Sequence, residues 1–472
     1  MIDIRIEGES LDLFPDTAYT LERYSPLFDF ETIQGTRVYP FSVPSTPRNR
    51  TILGYFYLMQ IGYEPRRYRC EKYVFGQLIE QGYAVINQVD EKGFAIYYTQ
   101  ILSDIFGDRQ NVKLSDMLDL GSEATAASPL ANPDLTNAQT RLFYPTIINP
   151  NFYGNTPPSG FGGRMNDYNT GTSQYATNGR VPMVLLKWLL ERFGTLASLQ
   201  FGGAWVNDAS MKRLLLYNQF ALDGASTITY ANHLPDWTMR DMLMNYRRLF
   251  NLYLDFDSWN RTLTIDYGRD VLDSQAIDDW TEFAVPTRTK QPDPASRLDL
   301  GFDIDQNDLL MKPVPPAFDR YVSAGAVGVT AQVIRSGFST LNTDIGTGLA
   351  STLQAGVSGL NKDSNQKSIP KVLFWKGIVG GLPTATNEHG TTRLAWSGTN
   401  NLVDGYWKNF ETMKATTFSL KQGVFLSPAN LARFSFRRKV HIRGVNYMVG
   451  SLRAGISMTK ETVPVEVDLW RV

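Results

Sequence analysis

Between residues 238 and 267 the chain reads TMRDMLMNYRRLFNLYLDFDSWNRTLTIDY, and the spacing of its apolar residues changes period partway along. Met242, Leu243, Tyr246, Leu249 and Phe250 fall at i, i+1, i+4, i+7 and i+8, which is one face of an α-helix. Thr238 can cap that helix, and Asp241 three residues on makes a weaker version of the capping box. Trp237, just before the cap, can staple onto Met242. From Leu252 the period becomes two. Leu252, Leu254 and Phe256 alternate with Tyr253 and Asp255; after DSWN, Leu263, Ile265 and Tyr267 alternate with Thr262, Thr264 and Asp266. This predicts a hairpin with one buried face. Arg247 is expected to face solvent. A one-faced helix feeding a one-faced hairpin must pack on a core that other segments supply, and nothing in the stretch carries chemistry.

The 472 residues suffice for two to four domains. Aromatic residues make up 12% of the chain, which favours strands and interfaces. The 46 basic side chains balance 47 acidic ones. That balance makes no overall electrostatic case for sequence-specific nucleic-acid binding or for an anionic membrane surface. Cys70 is the single cysteine, so no intrachain disulfide can form, which fits assembly in a reducing cytoplasm. The opening MIDIRIEGESLDL alternates from its first residues and has neither a basic nor an apolar leader region, so no signal peptide is expected. No apolar run reaches 18 residues, so no membrane span is expected.

Residues 1–120 read as a β-barrel-like domain. Ile2, Ile4 and Ile6 alternate, and VFGQLIEQGYAVINQVDEKGFAIYYTQIL reads as three strands parted by turns at EQG and DEKG. Pro40, Pro44 and Pro47 demand an extended or edge segment between them. Residues 121–180 are rich in Gly, Pro, Asn and Tyr and predict a long surface excursion. Residues 181–290 read as mixed α/β. One helix is expected in VPMVLLKWLLERFG, with Pro182 near N1 and Gly194 at C′, and a second in DASMKRLLLYNQFAL. Residues 291–366 are expected to run extended to 335 and then as a flexible Gly/Ser/Thr-rich loop. Neither 121–180 nor 336–366 has the composition expected of a core. Residues 367–472 return to strands as a C-terminal β domain, with a hairpin about Gly444. The fold class is mainly β with an α+β middle region.

The search for chemistry yields no catalytic, cofactor or metal residues. His233, His389 and His441 lie in three different segments without HxxxH or HExxH spacing. His441 reads as structural and His389 as part of a solvated turn. Cys70 has no neighbouring base in sequence. Asp303, Asp305 and Asn307 imitate the start of a calcium loop, but Asp308 stands where Gly is needed and Val314 where Glu is needed. GTGLAS from Gly346 lacks the preceding strand and the final Gly of a dinucleotide fingerprint. Ser457 to Lys460 spells SxxK, but between strands rather than at a helix start. The aromatics of the 151–178 loop could stack on sugars, or could be ordered by assembly.

Four stretches in their order carry a resemblance: SPLFDFETIQGTRVYPFSVPSTPRNR; LLERFGTLASLQFGGAWVNDASMKRLLLYN; the 238–267 stretch followed by DDWTEF at Asp278 to Phe283; and KVHIRGVNYMVGSLRAGIS with VPVEVDLWRV. Together they span about half of the chain, and they resemble tail-tip or baseplate hub proteins of tailed bacteriophages, in the form found in phages and prophages of Bacteroidetes-type hosts. The resemblance implies a homotrimer, with two β-barrel-like domains per subunit giving a pseudo-sixfold ring that adapts a sixfold tube to a threefold tip. It implies a structural virion protein rather than an enzyme, since no lysozyme-like segment is evident, and one assembled in the host cytoplasm. Tail tube, distal tail, tape-measure and tip or fibre proteins would be its partners, with phage DNA passing through the channel without specific binding. The alternatives are a distal tail or other baseplate ring protein, a glycan-binding receptor protein and, third, a peptidoglycan hydrolase.

Overall fold

The computed structural model describes residues 1–32, 37–38, 40–62, 66–99, 103–125, 130–325, 328–357, 369–458 and 462–472. Its largest element is a sheet of 14 strands to which both ends of the chain contribute. The opening strand Ile2–Ile6 buries every second residue and pairs antiparallel with Tyr68–Val74. Gln77–Val89, Gly93–Thr99 and Phe41–Pro44 follow. The two ends meet where Ala18–Tyr24 pairs antiparallel with Val445–Ser457, in register from Ala18 opposite Ser457 to Tyr24 opposite Ser451. Val463–Arg471, Phe418–Leu426 and Ala284–Pro292 extend the sheet on the C-terminal side. One core lies under both halves, joining Ile4, Val43, Val74 and Ile96 to Leu420, Val449 and Val467.

Two turns were expected between residues 77 and 99, and one forms. At DEKG the Asp90 carboxylate accepts from the amides of Lys92 (2.8 Å) and Gly93 (2.9 Å). A Cβ at Gly93 would collide with the carbonyl oxygen of Val43, so the strand at 41–44 can approach only glycine there. At EQG the strand runs straight through. The extra residue is absorbed by a register shift across from Lys72 and Tyr73, and Glu80 stays in the ladder opposite Lys72.

In the middle region the helix forms over Met239–Phe250 with the expected capping box. The Thr238 hydroxyl accepts from the Asp241 amide at 3.1 Å, and the Asp241 carboxylate accepts from the Thr238 amide at 3.1 Å. Trp237 packs edge-on against Phe338, ring centroids 4.9 Å apart. The hairpin follows as Leu252–Asp257 and Thr262–Tyr267. Arg247 does not face solvent. It is fully buried, with its guanidinium 4.9 Å over the Phe30 ring and donating to the Pro26 carbonyl. A helix packed on two sides leaves no outer face at that position.

Other expectations shift. Pro182 lies ahead of the strand Met183–Leu185, and the helix begins only at Leu186 and runs to Ala197, with Ser198 rather than Gly194 in the left-handed cap (φ 51°). Leu214–Tyr217, expected as helix, is a fully buried strand. It lies between Met183–Leu185 and Lys371–Val379 in a five-stranded sheet, where a run of buried positions suits a strand with layers on both faces. Lys371–Val379 and Leu382–Thr386 thus pair with the middle region, not with the terminal sheet.

The Gly/Pro/Asn/Tyr-rich segment also builds a core. Phe143, Ile147, Phe152, Tyr153 and Met165 are buried with Leu215, Leu341, Ala350, Leu373 and Trp375. Buried asparagines close its irregular backbone. Asn166 donates to the carbonyls of Pro145 (3.0 Å) and Val181 (2.9 Å) and accepts from the Val181 amide at 2.7 Å. This satisfies in side-chain form what a ladder would otherwise supply. The described part of the 336–366 segment contributes Leu341 and Ala350 to the same core; residues 358–366 lie outside the described residues. No helix among the described residues is long and apolar enough to cross a membrane.

Candidate assembly surfaces

The terminal sheet ends in a strand that is hydrogen-bonded on one side. Ala284–Pro292 pairs with Phe418–Leu426 and is the outermost strand of the C-terminal half. Residues 286–292 are exposed. Such an edge can accept another strand. Its charges limit which: antiparallel self-pairing about Thr289 would set Arg288 against Lys290, and like charges directly opposite are destabilising. Beside the edge, the half-exposed Phe425 shares a surface hollow with Gly423, Gly455, Arg288, Lys421, Arg453 and Glu466. This face is basic and shallow.

A second surface feature is concave. A cavity of ≈ 550 Å³ opens between residues 216–220, 232–237 and 369–371, walled by Phe220, Pro235, Trp237 and Pro370, with Asp236 and Asp303 on its sides. Burial raises the Asp303 carboxyl above its ordinary value. Lys371, also on the wall, is fully buried and committed elsewhere: its Nζ lies 2.7 Å from Asp305 and 3.0 Å from Gln354 Oε1. Burial works against ionisation of Asp305, but the Lys371 ammonium and the Gln354 amide (2.8 Å) outweigh it and hold the carboxyl below its ordinary value. The acidic run that imitates a calcium loop is therefore an internal ion-pair site. Asp308 accepts from Thr352 Oγ1 (2.7 Å) and the Leu353 amide (3.0 Å). Among the described residues no group of three or more His, Cys, Asp or Glu side chains is placed to hold a metal.

A third ionic group lies inside the N-terminal half. Lys72 points into a cage of Tyr98 (3.8 Å), Tyr19 (4.6 Å) and Phe41 (5.1 Å). Lys72 Nζ, both Glu80 oxygens and the Tyr19 hydroxyl are buried without a hydrogen-bond partner among the described residues. Burial lowers Lys72 to about 8 and raises Glu80. Cys70, buried in the same interior, is pushed up to about 12 by burial, which disfavours its thiolate. Sequence reasoning passed over this group because Lys72 and Glu80 lie in ordinary-looking strands.

The remaining motifs resolve into structure. His233 is buried against Phe220, with Nδ1 3.2 Å from Asn218 Oδ1, and burial lowers it to about 3. His389 stands at a two-residue hairpin beside Gly390, half-buried with Nδ1 3.0 Å from Ser210 Oγ. His441 Nδ1 lies 2.8 Å from Asn446 Oδ1, and its Nε2 accepts from the Gly444 amide at 3.1 Å, which ties down the hairpin about Gly444. The structure does not bring the three together. The glycines of GTGLAS form a turn that leads into the strand Ala350–Ser351, not into a helix. Ser457 ends a strand, and Lys460 lies outside the described residues. The aromatics of 151–178 face one another: Tyr153 meets Phe161 edge-on at 4.8 Å and Phe152 at 4.9 Å, and Tyr175 packs on Tyr144 at 5.7 Å. Phe152, Tyr153 and Tyr175 are buried, while Phe161 and Tyr168 are half-buried.

No family model matches the chain. No curated protein matches it either. Among solved structures it is similar to the 43 kDa tail protein of prophage MuSo2 from Shewanella oneidensis, at 9% identity and a TM-score of 0.40, over 99% of this chain and 95% of that one. It is similar to the tail protein from Neisseria meningitidis MC58, at 9% identity and a TM-score of 0.38, over 99% and 95%. A Francisella PdpA–VgrG complex is similar at 7% identity and a TM-score of 0.33, with 100% of this chain covering 52% of that one.

Proposed function

We propose that the chain is a structural protein of a phage tail, a tail-tip or baseplate hub that joins the tail tube to the tip and lines its axial channel. The observation that supports this reading is the ladder between Ala18–Tyr24 and Val445–Ser457, which sets two β-rich halves side by side in one subunit. Three copies then present six β units, enough to meet a sixfold tube, and a closed ring covers sheet edges that would otherwise recruit wrong partners. The role is architectural and has no catalytic step. Tail tube, distal tail, tape-measure and tip proteins are the partners it requires, and DNA would pass along the axis without base-specific contacts. Imaging of native particles tests the reading. Three copies per tip, with threefold averaging sharper than sixfold for this subunit, is the expected result. Six copies, or equally sharp sixfold averaging, would favour a distal tail ring instead. Purified protein is expected to clear no peptidoglycan and to turn over no polysaccharide; turnover abolished by one carboxylate substitution would replace the architectural reading with an enzymatic one.

A further inference from the structure

The two β-rich halves repeat one pattern. Val43, Thr46, Pro47 and Asn49 match Val424, Ser427, Pro428 and Asn430 at the same spacing, V-x-x-[S/T]-P-x-N. Each set leads from a strand into a short helix, Pro47–Ile52 or Pro428–Arg433. Thr46 accepts from the Asn49 amide at 3.2 Å and Ser427 from the Asn430 amide at 3.1 Å, so the same cap is built twice. Both valines are buried in the shared core. Farther on, Phe75–Gly76 and Arg443–Gly444 make two-residue turns with positive φ at both positions, and a glycine follows six residues later at Gly82 and Gly450. In each half the strand before the helix pairs antiparallel with the last of the three strands after it. The halves are two versions of one unit.

They differ in the connection from the helix to the next strand. Asn49 and Gly76 are 27 positions apart, Asn430 and Gly444 only 14. Both connections end in two arginines just before the strand, Arg66–Arg67 and Arg437–Arg438. The shorter one docks on the middle region. Phe434 meets Trp280 with ring centroids 6.0 Å apart. Arg437, over the Tyr253 ring at 4.7 Å, reaches Asp255 (3.1 Å) and Asp266 (2.6 Å). Arg438 holds both oxygens of Asp278, at 2.9 and 2.6 Å. The longer one turns outward: Tyr55, Leu58, Met59 and Ile61 are exposed on it, Met59 at 99%. Arg66 is exposed, with its guanidinium 4.9 Å from the Tyr68 ring centroid. Residues 46–69 carry five arginines against one glutamate, a net charge of +4, in a chain whose net charge is −1. No lysine precedes Lys72. Tyr, Leu, Met and Arg without Lys suit the centre of a protein interface, whereas a lipid surface takes Lys and Arg alike.

We propose that residues 55–61 with Arg66 dock on a second protein of the assembly, on a surface that sets carboxylates beside an aromatic ring. The C-terminal unit finds such a surface inside its own chain; the N-terminal unit, built on the same plan, takes it from a neighbour. That neighbour is a different protein, because in every copy of this chain Asp255, Asp266 and Asp278 are already held by Arg437 and Arg438. Resting on the tail reading, which supplies the neighbour, the contact buries the exposed apolar group of Leu58 and Met59 and pairs the local positive charge.

Photo-cross-linking in assembled particles tests it, with p-benzoylphenylalanine placed at position 58 and, as a control, at position 345, where Ile345 is fully exposed elsewhere on the molecule. Position 58 is expected to give an adduct with a different tail protein, position 345 none, and the attached peptide is expected to lie beside Asp or Glu residues. Arg66→Glu is expected to reduce the position-58 adduct to the level of the control while the melting temperature of the purified subunit is unchanged; an undiminished adduct would overturn the acidic partner. Particles that contain the subunit but give no more adduct at 58 than at 345 would overturn the docking, and an adduct between two copies of this chain would overturn it in favour of a self-contact. Sedimentation of the purified protein with phosphatidylglycerol vesicles, lost in Met59→Asp, would overturn it in favour of a lipid surface. Particles that lack the subunit altogether would overturn the tail reading itself.

Discussion

Lys371 and Lys72 are both buried ammonium groups, and opposite means hold them. Lys371 has a carboxylate at 2.7 Å and an amide oxygen at 3.0 Å. Lys72 has the faces of Tyr98, Tyr19 and Phe41 and no hydrogen-bond acceptor among the described residues. Arg247 belongs with Lys72: the Phe30 ring covers it, the Pro26 carbonyl accepts from it, and Nε and Nη1 have no hydrogen-bond partner among the described residues. The paired site tolerates a full charge, whereas the caged sites favour the uncharged form, and burial accordingly lowers Lys72 to about 8 and Arg247 to about 10. A paired cation fixes its partner segments in place. A caged one fills volume and puts up with its charge.

The largest expected effect separates the two kinds. Asp305→Ala should cost about 3–5 kcal/mol in denaturant unfolding, because it leaves the Lys371 ammonium buried and unpaired. A loss under about 1 kcal/mol would place Lys371 with the caged cations. An uncharged yardstick comes next: Leu249→Ala, on the buried face of the Met239–Phe250 helix, should cost about 2–5 kcal/mol. The pH profile sharpens the contrast with a smaller effect. Unfolded, Lys72 keeps its proton up to about 10.5, while folded it loses it near 8. Between those values the unfolded state holds the extra proton, so stability rises with pH, on the order of 1–3 kcal/mol in total. Glu80 works the other way at lower pH. Its folded value is raised above 4.5, so stability falls as pH climbs from 4.5 through that raised value. Asp305, held below 3.8, contributes stability that is present above 3.8 and lost as pH falls through its folded value. A Lys72→Met/Glu80→Leu variant should lose the alkaline rise and be no less stable than wild type at pH 7; an unchanged alkaline profile would exclude Lys72 as its source. The smallest effect is expected at Arg247→Met, within about 1 kcal/mol of wild type, since the thioether chain refills the volume without a charge.

Legibility in the sequence follows the range of the interactions involved. The Met239–Phe250 helix and its hairpin are readable because capping, period and turn all act within a few residues. The burial of Arg247 is not, because the groups that accept it, Pro26 and Phe30, come from the other end of the chain. The core inside the 121–180 segment is illegible for the same reason. Its Gly, Asn and Pro content describes an irregular backbone correctly, but Phe143, Phe152 and Met165 find their cover on strands at 214–217 and 371–379. Of the surfaces, the arginine-flanked apolar loop could have been found by scanning local charge in place of the total. The cavity could not, since its lining comes from residues scattered between 216 and 371.

What the sequence determined by itself is period and punctuation: alternation at both ends, one amphipathic helix, a capping box, the turn at Asp90 to Gly93, and the absence of any histidine or cysteine spacing suited to chemistry. Those are local because a side chain's direction repeats every two or 3.6 residues whatever lies elsewhere. The tertiary structure alone decided which strand lies beside which. Ala18–Tyr24 offers the same alternation to any neighbour, and Val445–Ser457 became that neighbour because the two faces bury one shared core. Backbone hydrogen bonds are the same for every sequence, so partner choice falls to packing between residues far apart in the chain.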